Sequence, residues 1–244
     1  LGSTRSIVNT DHAVIAADSQ ARNALPGWER TTGSVLVSPS MGARFTQYVA
    51  YLEPGGQSTP PRPWVERFIY VMDGEVHASA GDAQRKMAAG DYLYIPPEHG
   101  HSLKASASCS LLVFEHSYHP LSGIDPPAPA FGRSRDAKAK PVLNDTDVQR
   151  QPLLMSNPAF DVGVNIYNFK PGASLSQVSV QHTDGAWMVL EGQGVVRLGD
   201  TWRPVHAGDA IWVKAHCPHW FVAYGKKSTR ILACADINRE AVKH

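Results

Sequence analysis

Nothing of useful length in this 244-residue chain reads as an amphipathic helix, which argues against every α-helical and α/β architecture. No apolar run approaches the roughly 18 to 20 residues a membrane-spanning helix needs. The opening LGSTRSIV lacks the apolar core of a signal peptide, so a cytoplasmic protein is expected. Charge of one sign is also missing: 23 basic residues face 22 acidic ones, a net charge of +1. That balance builds in no attraction to nucleic acid or an anionic membrane and points to a small molecule or another protein as partner. Cysteine is scarce. Cys109, Cys217 and Cys234 are odd in number and scattered, which excludes a disulfide framework and fits reduced, mostly buried thiols.

What the chain does have is said nearly twice. Pro54-Gly55, Gly74, Gly90-Asp91 and His101 recur as Pro171-Gly172, Gly192, Gly208-Asp209 and His219, an offset of 117 to 118 residues that slips once. A duplication of about half the length sets the architecture before any motif is weighed. Each half carries a Pro-Gly turn, a β-rich run ending in Asp-Gly or Glu-Gly, an Ala-Gly-Asp turn, then a strand and a histidine. Runs such as VERFIYVMDG, DYLYIPP and AWMVLEGQGVVRLGD, rich in Val, Ile, Tyr and Phe and bounded by turn residues, are strand signals. Two tandem β-barrels are the expected fold, all-β throughout.

Composition also divides the chain. Residues 1–33 show little period and are expected to form an arm lying over the first barrel, which spans 34–118. Four prolines between Pro120 and Pro129, followed by mixed charge, cannot sustain a ladder, so 119–145 is expected to be the linker. The second barrel is expected over 146–244.

A Gly-Asp turn followed by a histidine, present in both halves with Gly90, Pro96 and His101 in the first and Gly208 and His219 in the second, resembles the cupin superfamily in its two-domain, double-stranded β-helix (jelly-roll) form. The phrases DHAVIAADS, RNALPGW, PPRPWVERFIYVMDG, LYIPPEHGHSLK, LEGQGVVRLGDTWRPVHAGDAIW and DINRE are similar to the (S)-ureidoglycine aminohydrolase family over almost the whole chain. That resemblance implies ureide and purine catabolism, a small ureide ligand, and manganese in the C-terminal barrel held by Glu, His, His and Gln. An ungapped alignment puts those four roles on Ser179, Gln181, Gly185 and His219, and a family lysine on Ala235. A neutral hydroxyl, an amide and a glycine replace strong ligands there, so manganese is expected to bind weakly or not at all.

Ser179 and Gln181, two apart, share a strand face and can both look inward. His182 and Asp184 fall on the other face unless a β-bulge turns one of them in. His216-Cys217-Pro218-His219 offers zinc-type donors, but a soft site needs four converging ones and this strand end supplies two at best, leaving His219 alone toward the cavity. In the first barrel the matching positions are Pro61, Pro63 and Arg67, which cannot ligate a cation; His101 and Glu66 are expected in a metal-free interior. Trp187 and Trp220 are candidates for the apolar wall of a ligand pocket. Three functions follow: a metal-dependent hydrolase releasing ammonia from ureidoglycine, a binding bicupin that keeps the fold without the chemistry, or a metal-dependent isomerase or dioxygenase in which His182 or Asp184 joins His219 as a ligand. Free sheet edges allow a homo-oligomer.

Overall fold

The computed structural model describes residues 4–154 and 157–237, so the closing Asn238-Arg239-Glu240 of the family-like terminus lies outside the described residues. Among the described residues the protein is all-β, interrupted by three short 3-10 turns. Among the described residues no helix is long and apolar enough to cross a membrane. A ten-stranded sheet carries the first barrel, running antiparallel through Trp28–Val37, Phe45–Ser58, Cys109–Ser117, Val65–Asp73 and Asp91–Ile95. The second barrel uses an eight-stranded sheet centred on Gly185–Glu191, Thr229–Asp236 and Val162–Phe169, closed by a three-stranded sheet of Thr201–His206, Gln193–Leu198 and His219–Ala223.

The duplicated glycines explain themselves at the hairpins. Gly74 and Gly192 adopt φ of 75° and 80°, and an added Cβ would come within 2.7 Å of the Ser108 carbonyl or 2.6 Å of the Ser228 carbonyl. Only glycine meets both demands.

The two halves exchange strands. The arm, expected on the first barrel, serves both: Asn23–Ala24 and Trp28–Val37 join the first-barrel sheet, while His12–Ile15 pairs with Ala210–Val213 of the second, in register Ile15↔Ala210 through His12↔Val213. Its apolar Ala13 and Val14 are fully buried there, and Arg5 reaches the buried Asp209 carboxylate at 2.6 and 3.0 Å. Burial alone would raise the Asp209 pKa, but Arg5 and two backbone N–H donors, from Ala17 and His206, hold it below the usual range. The linker returns the exchange: Ala130–Arg133 pairs with Asp91–Ile95 of the first barrel. A ladder forms inside the linker because the prolines stop at Pro129, one residue before the strand begins.

Between the barrels lies a shared apolar core containing Phe45, Phe68, Tyr94, Phe114, Phe160, Val164, Met188, Trp212 and Leu232. Each fully buried large side chain stabilises the pairing by about 1.5–3 kcal/mol, so the halves are held as one body.

Candidate ligand cavity in the second barrel

A cavity of about 330 Å³ opens into the second barrel. Its wall includes Ser179, Gln181, Gly185, His219 and Ala235, the five positions singled out by sequence, together with Trp187. Ser179 reaches the wall by bridging to the first residue of His219–Ala223, with its N–H donating to the His219 carbonyl at 2.8 Å and the reverse bond at 2.9 Å. Gly185 leaves space where a side chain would stand, its missing Cβ lying 3.5 Å from Trp187 Nε1.

His219 is buried, and its Nδ1 lies 3.0 Å from the Cys217 carbonyl oxygen. A carbonyl only accepts, so Nδ1 carries the proton and Nε2 keeps its lone pair. Burial pushes the imidazole pKa below its ordinary value, and the ring is neutral at pH 7. Trp187 meets it edge-on at 5.2 Å.

Several expected residues stand elsewhere. His182 is exposed and outside the cavity wall. Asp184 is buried at 2 % exposure, not solvated, and its Oδ1 accepts the Ala215 N–H at 2.8 Å. The irregularity in the strand Gly185–Glu191 falls between Val189 and Glu191, so no bulge turns either residue inward. Trp220 faces away from the cavity: strand alternation puts it opposite His219, where its Nε1 donates to the Leu175 carbonyl at 2.6 Å and its ring packs against Trp202. The same alternation separates Glu66 from the first-barrel interior, which Arg67 enters instead.

Sequence reasoning passed over Arg150, which lines the cavity at its exposed mouth. Alternation from the buried Val148 could have found it, since the two share a face of the strand Asp145–Pro152. Arg150 pairs across the sheet with Tyr167. Burial raises the Tyr167 pKa, and the Arg150 guanidinium opposes that rise. Among the described residues of the cavity wall Arg150 holds the permanent charge, and none is acidic.

The first barrel is filled at the matching place. Its register pairs Arg67 with Glu115, where the second barrel pairs Gly185 with Ala235. Arg67 binds Glu115 at 2.6 Å, donates to the Thr59 carbonyl at 3.0 Å, and meets His101 Nε2 at 2.9 Å. Burial, then the Arg67 charge, lowers the His101 pKa to about 4.

A second polar group, unseen from sequence, sits between the barrels. Glu66 Oε1 contacts His116 Nδ1 at 2.9 Å and accepts the Tyr94 hydroxyl at 2.7 Å on its other oxygen; Asp161, Asp236 and Arg44 complete the network. Burial by itself depresses His116, but the Asp236 and Glu66 carboxylates outweigh it and raise its pKa to about 9. Donor atoms of His116, His119 and Asp161 lie within 4.8 Å of one another, a metal-capable group, and so do those of Asp11, His12 and Cys217.

Tandem barrels, one filled and one hollow, define a two-domain cupin, and the cupin domain family matches residues 48–115 and 165–234. The chain is 34% identical over 242 residues to a probable (S)-ureidoglycine aminohydrolase of Oryza sativa subsp. japonica, covering 98% of this chain and 77% of that one. It is likewise 34% identical to the (S)-ureidoglycine aminohydrolase of Arabidopsis thaliana, over 98% of this chain and 80% of the relative. The crystal structure of protein Ylba from E. coli superposes with a TM-score of 0.86 at 26% identity, covering 97% of this chain and 96% of the other. The protein belongs to the (S)-ureidoglycine aminohydrolase family of bicupins.

Proposed function

We propose that the second barrel is a binding site for a small carboxylate-bearing ureide, gripped by Arg150 and neutral donors rather than by manganese. One observation carries this reading: the cavity wall joins a guanidinium to Ser179, Gln181, Asn165, Tyr167 and a neutral His219, with no carboxylate among its described residues. Manganese prefers carboxylate, carbonyl, water and imidazole oxygen and nitrogen donors in an octahedral set. The donors at the family's ligand positions do not fit it: one imidazole, one amide and one hydroxyl, with Gly185 contributing nothing. A cation at the mouth further disfavours a divalent ion and favours an anion.

A metal-capable group of His116, His119 and Asp161 lies outside this cavity. Its donors are engaged within the protein: His116 Nδ1 lies 2.9 Å from Glu66 Oε1, and Asp161 accepts the His119 backbone N–H at 2.6 Å.

Within the cavity, Arg150 would hold the carboxylate by paired N–H bonds while Gln181 and Asn165 meet the planar urea group. His219 Nε2 would accept one urea N–H, and Trp187 would close the apolar side. Calorimetric titration with N-carbamoylglycine, a stable ureide acid, tests this. Saturable 1:1 binding should weaken about 10- to 100-fold in Arg150→Gln, the worth of a charged hydrogen bond. Ammonia release from ureidoglycine that depends on added manganese would overturn the reading in favour of a working hydrolase.

A further inference from the structure

The His216-Cys217-Pro218-His219 run supplies only one useful donor by itself, yet the strand exchange completes what the run lacks. His12–Ile15, docked on the second barrel, brings Asp11 and His12 onto Cys217. We propose that Asp11, His12 and Cys217 form a zinc site that fastens the N-terminal arm to the second barrel.

The donor chemistry is mixed thiolate, imidazole and carboxylate, each a common zinc ligand. His12 Nδ1 lies 2.8 Å from Asp11 Oδ1 and 3.9 Å from Cys217 Sγ, so one ring nitrogen faces both partners. Tetrahedral zinc with ordinary bond lengths separates nitrogen from oxygen by about 3.4 Å and nitrogen from sulfur by about 3.6 Å. Each observed separation is within about 0.6 Å of that, an adjustment the half-exposed Asp11 side chain can make. His12 and Cys217 are 5 % and 3 % exposed, so two of the three donors are fixed by packing. Water fills the fourth position on the open Asp11 side.

One neighbour supports the assignment. Asn9 Nδ2 lies 2.8 Å from His12 Nε2. With zinc on Nδ1 the proton moves to Nε2, and a flip of the Asn9 amide presents its oxygen as acceptor, the outer-shell partner that ligating histidines usually have. Burial, then the Asp11 carboxylate, raises the Cys217 thiol pKa in the metal-free protein. Binding would therefore release the Cys217 proton to solvent and strengthen as pH rises. Neither the cavity nor His219's side chain takes part, so this site stands apart from the ureide reading.

Cobalt titration of the full chain tests it. One equivalent of cobalt should give a sulfur-to-metal charge-transfer band, displaced by zinc and abolished in Cys217→Ser. Asp11→Asn, at a half-exposed position that folding does not need, should weaken cobalt more than about tenfold, and Asn9→Ala by about 10- to 100-fold. Absence of the band in the wild type would overturn the site, as would a band that survives Cys217→Ser or an affinity indifferent to Asp11→Asn.

Discussion

The two barrels descend from one pattern and differ most at a single cross-strand pair. Arg67 and Glu115 occupy the first barrel's interior as an ion pair, while the second barrel places Gly185 and Ala235 in the same register and is hollow there. Their histidines diverge accordingly. His101 is spent on Arg67, whereas His219 turns an unshared Nε2 lone pair toward open space. A small-for-large exchange at one pair thus separates a filled barrel from a hollow one.

The largest effect should come from emptying the filled side. Arg67→Ala leaves Glu115 and His101 without their buried partner and is expected to cost about 3–5 kcal/mol in urea unfolding. A cost under about 1 kcal/mol would mean the pair is not what holds that interior.

Acid should expose the same difference. The folded pKa of His101, about 4, lies below the unfolded value near 6.5. Between those limits the unfolded chain binds the extra proton, so this contribution is complete above pH 6.5 and is lost as pH falls through about 4, up to about 3 kcal/mol. His101→Asn should flatten the pH dependence of stability over that window. An unchanged slope would show that His101 is not held neutral by burial and Arg67.

The smallest effect belongs to the hollow side. At Gly185 an added Cβ meets only ordinary contact, so Gly185→Ala should raise stability by about 0.5 kcal/mol through reduced unfolded-chain freedom. Clear destabilisation in thermal unfolding would place unrecognised packing in the cavity.

The repeat and the strand content were legible in the sequence because glycine turns and two-residue alternation fix register locally, whereas Ser179, Gln181, Gly185 and His219 were found through the family resemblance and do line one cavity. Alternation also carried the information that Trp220 and Glu66 face away from the interiors first expected for them. The strand exchange was not legible. Arm and linker each pair with a strand more than thirty residues away, and no local signal reports a partner at that distance. Asp11, His12 and Arg150 went unrecognised for the same reason, since their meaning comes from what folding brings beside them.

In the proposed function the second barrel holds its ligand with a guanidinium in place of a metal. Electron paramagnetic resonance of the full chain during Mn(II) titration, with zinc present to occupy the arm site, tests it most directly. The expected result is the free hexaaquo signal from the first addition, in wild type and His219→Ala alike. A stoichiometric bound signal that disappears in His219→Ala would contradict it.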